Sequence, residues 1–307
     1  MIPGGTMTRE EKRITIETPR GPMNVWTQRN GSHPTRRLLL LHGGPGANHQ
    51  YFRSFEQYVG EGDIEFIYYD QLGSTNSDNP ADRNFWTIPR FVDEVDQVRR
   101  ALGLGPDNFY LLGHSWGGIL AMEYALAHQD ALKGLLISNM MSSCPAYQRY
   151  AEEVLGPQMD PAILKRIKEL EAAGEYEHEE YMAILIPHHY EKHVLRKPAD
   201  QWPAAVQAAF ADINHDLYVY MQGPSEFGIA GTLAEWDRFD DLASITVPTL
   251  VIGADHDTMD PAHMRAMAER LPQGRFLRCP EGSHMAMWDD PEVYHRGVLD
   301  FIKDTDR

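Results

Sequence analysis

The chain has 307 residues, with 28 lysines and arginines against 45 aspartates and glutamates, and its formal net charge is −17. This acidic balance argues against nucleic acid as a partner, because contacts with phosphates need a basic surface. A chain of this length can bury a core as one large α/β domain with an insertion, or as two ordinary domains, without disulfides or structural metal.

The cysteine content and the hydropathy of the chain predict a cytoplasmic location. Cys144 and Cys279 are the only cysteines, so there is no disulfide framework of the kind that small secreted domains need. Met1–Arg13 lacks the apolar core of a signal peptide, although the sequence leaves open whether Met1 or Met7 is the functional start. The longest aliphatic run, Leu38–Leu41, is far below the roughly 20 residues of a membrane span. We therefore expect no membrane segment.

Short apolar runs alternate with helical patterns along most of the chain. Arg13–Thr18 and Met23–Gln28 flank a turn at Pro19-Arg20-Gly21-Pro22, which predicts an antiparallel hairpin at a sheet edge. Six later runs fit strands that are buried on both faces of a parallel sheet: Arg37–Leu41, Ile64–Tyr69, Phe109–Leu112, Leu135–Ser138, Thr249–Ile252 and Arg275–Arg278. Amphipathic helices are predicted at Ile88–Leu102, Gly117–His128 and Pro261–Leu271, the last with Asp260 as its N-cap. The alternation predicts an α/β fold with a mostly parallel central sheet.

The alternation stops between residues 142 and 241. This segment has helical patterns at Pro161–Ala172 and Pro203–Tyr220, no convincing strand, and 18 acidic against 8 basic residues, a net charge of −10. We predict a core domain made of residues 1–141 and 242–307, with residues 142–241 inserted between late strands as a helical cap domain. A cap selects the substrates that reach a site beneath it, and this one favours cationic substrates, although most of its glutamates fit a solvated helix face.

The segment Gly113-His114-Ser115-Trp116-Gly117 directly follows an apolar strand and opens a helix. A serine on such a turn has a strained backbone and an exposed hydroxyl, and the flanking glycines let strand and helix approach closely. Ser115 is therefore the candidate nucleophile. It needs an imidazole to accept its proton and a third group to orient that imidazole. Two loops that follow later strands can supply them, Gly253-Ala254-Asp255-His256-Asp257 and Gly282-Ser283-His284-Met285.

Further motifs occur together with this turn: His42-Gly43-Gly44-Pro45-Gly46, Tyr69-Asp70-Gln71, Gly223-Pro224-Ser225-Glu226-Phe227, the late aspartate loop and Gly282-Ser283-His284. With them, the chain resembles the proline iminopeptidases of the α/β-hydrolase superfamily over nearly its whole length. The resemblance implies Ser115 as nucleophile, His284 as general base and then acid, and Asp257 as the orienting carboxylate. Asp257 stands four residues before a proline, as the family's acid does, and Asp255 in the same loop is the alternative.

The resemblance also implies how substrate is held. The backbone amides of Gly44 and Trp116 would face the oxyanion, Gly43 would bring backbone close to the substrate, and Glu226 would bind the protonated substrate amine. In several iminopeptidases a second glutamate directly follows the catalytic aspartate, and this chain has Thr258 there. That departure leaves room for broader aminopeptidase activity or for hydrolysis of amino acid amides. The chain also has Leu72 where the family commonly has arginine.

These features predict a serine exopeptidase that releases N-terminal proline, or another unblocked residue, from small peptides or amino acid amides through an acyl-enzyme. The main alternative is an esterase, lactonase or amidase that needs no free amine, and a non-catalytic binding protein would require a broken triad. No cofactor is expected, because the glycines match neither a P-loop nor a dinucleotide fingerprint. No metal is expected either: of the neighbouring His188, His189 and His193, only His189 and His193 have the i, i+4 spacing of a helical ligand pair, and neither an HExxH pattern nor a third ligand accompanies them. The oligomeric state is left open.

Overall fold

The computed structural model describes residues 8–60, 62–80 and 82–306, so both candidate start residues, Met1 and Met7, lie outside the described residues. Eight strands form one sheet in the order β1-β2-β4-β3-β5-β6-β7-β8. They are β1 (Arg9–Ile16), β2 (Met23–Asn30), β3 (Arg37–Leu41), β4 (Glu65–Asp70), β5 (Phe109–His114), β6 (Gly134–Ser138), β7 (Thr249–Ala254) and β8 (Gly274–Cys279). At one edge, β2 pairs antiparallel with both β1 and β4, and the other five pairs are parallel, which confirms the predicted fold class.

The central strands are short because both of their faces are covered. Every residue of β4, β5, β6 and β7 is buried. In β3, Leu39 and Leu41 face one apolar cluster while Leu38 and Leu40 face the other, as the two-residue period of a strand requires. The edge strand β1 differs from the prediction, because it begins at Arg9, four residues before the predicted start at Arg13. Its charged first half is exposed and carries no apolar signal, and pairing with β2 extends it.

Helices cover both faces of the sheet and fill the insertion. The α-helices are α1 (Phe55–Tyr58), α2 (Ile88–Ala101), α3 (Trp116–His128), α4 (Cys144–Tyr150), α5 (Pro161–Ala173), α6 (Glu179–Leu185), α7 (Ala204–Ala211), α8 (His215–Met221), α9 (Pro261–Arg270), α10 (Ala286–Asp289) and α11 (Pro291–Thr305). Two π-helical segments, Ala151–Leu155 and Ile186–Val194, and six 3₁₀ turns complete them: His49–Ser54, Arg83–Phe85, Gln129–Ala131, Gly156–Gln158, Ala199–Gln201 and Asp240–Ser244. Among the described residues, no helix is long and apolar enough to cross a membrane.

Residues 142–241, all of them described, contain helices α4 to α8 and one isolated β-bridge between Ser143 and Asp237. The helical pattern predicted at Pro203–Tyr220 forms two helices, α7 and α8, with a break between them. Asn214 makes the break: its side chain accepts a hydrogen bond from the Leu217 amide at the start of α8. Its backbone N–H donates to Gly46 O at 2.8 Å, and its Nδ2 donates to Gly73 O at 2.8 Å.

The segment Ile186–Val194 ties the insertion to a loop of the core. The carbonyl of His193 accepts a hydrogen bond from the His284 amide at 2.9 Å, and the carbonyl of Val194 accepts one from the Met285 amide at 2.8 Å. Carbonyls at the end of a helix have no partner within it, so they are free to accept such bonds. The insertion therefore satisfies backbone groups of the loop that follows β8.

A second set of contacts lies at the opposite end of the strands, where side chains just before β3 and β6 bind a residue that follows α11. Asp306, just after α11, accepts hydrogen bonds from Arg36 Nε at 2.6 Å, from Thr35 Oγ1 at 3.0 Å and from Lys133 Nζ. Burial alone would raise the pKa of Asp306, but the hydrogen bonds from Lys133 and Arg36 outweigh it and lower this pKa to about 2.

We expect Asp306→Asn to reduce the free energy of unfolding by about 1 kcal/mol at pH 7, since the charge-assisted bonds are lost. A lowered folded-state pKa gives stability that is present above the unfolded pKa, about 3.9, and is lost as the pH falls toward about 2. The difference between wild type and variant in urea unfolding should therefore shrink below pH 4. Asp304→Asn is the control, because its pair with Arg275 is more than half exposed on the carboxylate side. Equal effects of the two variants would contradict the assignment.

Candidate active site

Ser115 lies on a sharp turn between β5 and α3 and adopts φ 55° and ψ −127°, a conformation that non-glycine residues rarely occupy. Close packing around it enforces the turn. A Cβ on Gly113 would lie 1.9 Å from the carbonyl oxygen of Gly117, and a Cβ on Gly117 would lie 2.1 Å from that of Leu41. Both positions therefore require glycine. The geometry is that of the strained nucleophile turn that the sequence predicts.

The structure brings Ser115, His284 and Asp257 together at the carboxyl ends of β5, β8 and β7. The Nδ1 atom of His284 lies 2.9 Å from Oδ1 of Asp257. Ser115 and His284 line the same cavity. Since a carboxylate only accepts, Nδ1 of His284 carries the proton when the ring is neutral, and Nε2 is then left to accept one.

Asp257 is held in place from several sides. Its Oδ2 accepts a hydrogen bond from Asn139 Nδ2 at 2.7 Å, and its Oδ1 accepts one from the Met259 amide at 3.2 Å. Asn139 directly follows β6 and has a positive φ of 52°. It also donates to the carbonyl of Ser283 at 3.1 Å, so one side chain ties the loop of the carboxylate to the loop of the histidine.

The pKa of His284 reflects two opposing effects. Burial alone would lower this pKa, but the negative charge of Asp257 and the hydrogen bond to it raise it above the ordinary value, and the charge of Glu226 adds to the increase.

Asp255, the alternative acid, lies outside this cluster. Its carboxylate forms a two-point ion pair with Arg278, with Nε of that arginine 2.8 Å from Oδ1. The hydrogen bond from Arg278 lowers the pKa of Asp255. Of the two aspartates in the loop, only Asp257 contacts His284 in the structure. Asp260 instead caps α9, where its side chain accepts a hydrogen bond from the Ala262 amide.

The glycine loop after β3 packs directly on the nucleophile. A Cβ on Gly43 would lie 2.8 Å from that of Ser115, so only glycine fits at this position. Gly44 has a φ of 107°, which also favours glycine. Trp116 is the first residue of α3, where backbone N–H groups lack a partner within the helix and the helix dipole is positive. The Gly43-Gly44 loop and the start of α3 thus approach Ser115 from two directions, as an oxyanion site requires.

A chain of hydrogen bonds joins the glycine loop to the backbone of the histidine. The Gly43 amide donates to the hydroxyl of Tyr51 at 2.6 Å, and this hydroxyl lies 3.1 Å from Nδ1 of His114. Nε2 of His114 lies 2.8 Å from the carbonyl of His284, which can only accept. Nε2 of His114 therefore carries the proton, and Nδ1 accepts from Tyr51. Burial lowers the pKa of His114 well below its ordinary value, which agrees with a neutral ring.

Gln71 joins the two candidate oxyanion segments. Its Oε1 accepts from the indole of Trp116 at 2.9 Å, and its Nε2 donates to the carbonyl of His42 at 2.9 Å. The ring of His42 accepts at Nε2 from the Gln71 amide, so its Nδ1 donates to Gly43 O, 2.9 Å away. His42 is thus structural, as its place before the glycines suggests. Within the sequence, the one signal for Gln71 is the Tyr69-Asp70-Gln71 motif that the chain shares with the iminopeptidases, and this motif does not by itself indicate a role.

Glu226 lies in the insertion and its carboxylate points into the same cavity. Oε1 accepts from the Tyr218 hydroxyl at 2.7 Å, and Oε2 lies 4.0 Å from Nε2 of His284. Its backbone is also held, because the amide donates to the hydroxyl of Tyr190 and the carbonyl accepts from the hydroxyl of Tyr147. Nε2 of His189 lies 3.0 Å from the same carbonyl. Sequence reasoning did not identify these supporting side chains.

The cavity has a volume of about 390 Å³, including its open part, and its lining is mostly apolar. It is lined by Gly43, Gly44, Ala47, Tyr51, His114, Ser115, Ala209, Phe210, Ile213, Glu226, His284 and Met285. Glu226 is the only carboxylate among these residues. Thr258 is buried behind the triad, with its hydroxyl 3.3 Å from both Asp257 Oδ1 and His284 Nδ1. Leu72 is buried in the core, and its amide donates to Glu94.

The segment Ile186–Val194 contains the histidine pair whose helical spacing could suit a metal ion, His189 and His193. The rings of His189 and His193 lie 5.3 Å apart, but each has a ring nitrogen within 3.0 Å of a backbone carbonyl. Within the part of the chain that the structure describes, no group of three or more histidine, cysteine or acidic side chains could hold a metal ion.

Several known proteins are similar to this chain over most of its length. A model of the alpha/beta hydrolase family matches residues 38–296. A protein from Flavobacterium johnsoniae named proline iminopeptidase is 52% identical over 292 residues, which cover 95% of this chain and 98% of that protein. The crystal structure of VinJ has a TM-score of 0.87 at 30% identity and covers 96% of this chain and 99% of its own. The crystal structure of a proline iminopeptidase from Mycobacterium smegmatis has a TM-score of 0.83 at 31% identity, with the same coverage of both chains.

The strained turn can be tested through stability alone. Ser115→Gly and Ser115→Ala both remove the hydroxyl, but only glycine tolerates a φ of 55° without a Cβ clash. We expect the glycine variant to have the higher free energy of unfolding by about 1 kcal/mol, measured by chemical denaturation. Ala172→Gly, at an exposed position in α5, is the control and should lose about 1 kcal/mol. If Ser115→Gly proved no more stable than Ser115→Ala, the turn would not store strain.

Proposed function

The chain belongs to the alpha/beta hydrolase family and, within it, to the proline iminopeptidases, and we propose that it is a serine exopeptidase that releases N-terminal proline, or another unblocked N-terminal residue, from small peptides or amino acid amides. One observation carries the proposal. The carboxylate of Glu226 is buried, and its Oε2 lies 4.0 Å from Nε2 of His284 in the cavity that Ser115 also lines. That is where the protonated amine of a substrate would lie once its first carbonyl reached the serine.

The proposed reaction proceeds through an acyl-enzyme. Ser115 Oγ attacks the carbonyl carbon of the N-terminal residue while Nε2 of His284 takes the hydroxyl proton, and Asp257 keeps the ring oriented. The oxyanion is stabilised by the amides of Gly44 and Trp116. His284 then gives its proton to the leaving amine as the C–N bond breaks. A water molecule then attacks the acyl-enzyme while His284 takes one of its protons, and His284 returns this proton to Ser115 Oγ as the ester bond breaks and the free amino acid leaves.

Recognition of the substrate combines one charge with an apolar surround. The carboxylate of Glu226 pairs with the N-terminal ammonium. The apolar part of the lining, which includes Ala209, Phe210 and Ile213 from the insertion, is suited to the ring of proline. Because Thr258 replaces a second glutamate and points toward Asp257, Glu226 alone supplies the counter-charge in this cavity. We therefore propose tolerance for other unblocked residues and for amino acid amides.

We propose residues 142–241 as the cap domain of this enzyme. The insertion contributes Glu226 and part of the apolar lining to the cavity, whereas the nucleophile and base come from the core. Most of its other carboxylates lie away from the site. Glu175, Glu177 and Glu179 are exposed, as expected of a solvated face. The cap selects cationic substrates through one buried carboxylate rather than through its total charge.

We also propose a cytoplasmic location. Cys144 and Cys279 are both buried free thiols, which suits a reducing compartment. Burial raises the pKa of the Cys144 thiol to about 12, so this thiol is unreactive near neutral pH.

The amine requirement can be tested with three chromogenic substrates: proline p-nitroanilide, its N-acetylated form and p-nitrophenyl butyrate. We expect the acetylated substrate to lose most of the turnover, and Ser115→Ala to remove turnover of all three. Glu226→Gln should lower kcat/KM for proline p-nitroanilide at least about 100-fold while affecting the butyrate far less, since only the former has a charge to lose. Equal losses on both, or turnover of the butyrate alone, would favour the esterase alternative.

The identity of the orienting acid can be tested with a matched pair. We expect Asp257→Asn to reduce kcat by roughly 10³- to 10⁴-fold, because the imidazole loses both its fixed tautomer and its counter-charge. Asp255→Asn removes an equivalent group two residues away that is paired with Arg278, and should stay within about twofold of wild type. The measurement is kcat on proline p-nitroanilide, with circular dichroism to check folding. A large loss in Asp255→Asn with little in Asp257→Asn would reverse the assignment.

A further inference from the structure

We propose that Glu226 holds a proton on His284 in the free enzyme and that arrival of a cationic substrate amine releases this proton, so that the correct substrate activates the base. The inference rests on the proposed function, since it takes Glu226 as the amine site. It adds a second task for the same carboxylate. Glu226 would both select the substrate and keep the triad partly inactive until the substrate is bound.

The geometry around Glu226 is suited to both tasks. One carboxylate oxygen, Oε1, is engaged by the Tyr218 hydroxyl, and the other, Oε2, lies 4.0 Å from Nε2 of His284. The side chains of Glu226 and His284 are 10% and 3% exposed, so water screens the interaction between them weakly. Nε2 is the nitrogen that must be unprotonated to accept the proton of Ser115. A negative charge at this distance favours the protonated ring and so opposes the first step of the reaction.

The other groups that face His284 leave this effect uncancelled. Asp257 lies on the opposite side of the ring, bonded to Nδ1, and favours the protonated ring in every state of the enzyme. From β5, the ring of His114 lies 4.9 Å away, and burial keeps its pKa well below the ordinary value. From the cap, His189 has a pKa that burial lowers to about 3. Both of these histidines are therefore neutral near pH 7, and Ser115 and Thr258 present only hydroxyls.

A bound substrate changes only one of these charges. An ammonium group paired with Glu226 cancels the charge that faces Nε2, so the pKa of His284 falls and its extra proton passes to solvent. An ester without an amine leaves Glu226 unpaired, so the pKa of His284 stays at its value in the free enzyme. The coupling is reciprocal, so a protonated His284 also weakens binding of the amine. At saturating substrate, the ratio of kcat for free-amine substrates to kcat for esters should therefore increase as the pH falls below the pKa of His284 in the free enzyme.

The first experiment isolates the effect of Glu226 on the free enzyme. The acid limb of kcat/KM for p-nitrophenyl butyrate reports the pKa of the base before substrate binds. We expect Glu226→Gln to move this limb downward by about one pH unit, a tenfold change in proton affinity. Glutamine retains an oxygen that can accept from Tyr218, which preserves the local structure. Glu171→Gln is the matched control, because Glu171 also accepts from a cap tyrosine, Tyr181, at 2.7 Å but does not line the cavity.

The second experiment tests release by the substrate. In wild type, the acid limb of kcat, which reports the complex, should lie about one pH unit below that of kcat/KM for proline p-nitroanilide, whereas the two limbs should coincide for the butyrate. NMR titration of His284 in Ser115→Ala gives a direct readout that needs no turnover. Prolinamide should lower the pKa of His284, and N-acetylprolinamide at the same occupancy should leave it unchanged. A His284→Gln spectrum identifies the resonance.

The outcomes separate this inference from the proposed function. If Glu226→Gln leaves the acid limb for the butyrate in place, or if prolinamide leaves the pKa of His284 unchanged, the coupling is overturned even where Glu226 remains essential for amine substrates. If the limb moves but Glu226→Gln lowers kcat/KM equally for proline p-nitroanilide and the butyrate, Glu226 controls the base without binding an amine. The proposed function then fails, and so does release by substrate, while the effect of Glu226 on the free enzyme stands.

Discussion

The close crossing of α3 over β3 and β5 is the constraint on which the rest of the site depends. No side chain fits at Gly113 or Gly117, where a Cβ would lie within about 2 Å of a carbonyl oxygen. The chain can leave β5 and start α3 in so little space only if the residue between them adopts a positive φ, and this residue is Ser115. The same crossing brings Gly43 against Ser115. The proposed nucleophile and the proposed oxyanion loop are thus positioned by one packing contact between elements of the core.

His284, the proposed base, is positioned by a different kind of contact, a set of hydrogen bonds between distant segments. Tyr51 and His114 link the Gly43 amide to the carbonyl of His284, and Asn139 links Asp257 to Ser283. Each of these groups is buried and each donor faces an acceptor, so the arrangement of the ring protons follows from the contacts. A buried polar network that is fully satisfied is stiff, and the proposed triad requires such stiffness at His284.

The sequence predicted those parts of the molecule whose signal is local. Strands buried on both faces appear as short apolar runs, and the turn at Ser115 needs glycines at fixed positions, so both could be found without knowledge of neighbours. Tyr51, Gln71 and Asn139 could not be found in this way, because each makes at least one bond to a residue between 45 and 144 positions away. The break between α7 and α8 was missed for the same reason, since Asn214 ends the helical pattern through contacts with two distant glycine loops.

The bonds between the segment Ile186–Val194 and the loop after β8 limit how far the proposed cap, residues 142–241, can be exchanged between relatives. The backbone amides of His284 and Met285 are satisfied by carbonyls of His193 and Val194, about ninety positions earlier in the chain. A chimera with a foreign cap that lacks carbonyls at these places would leave the amides unpaired in a dry interior, at about 1–3 kcal/mol each. In such a chimera, Ile186–Val194 must therefore be kept together with the core. Only the helices on either side of this segment can be replaced.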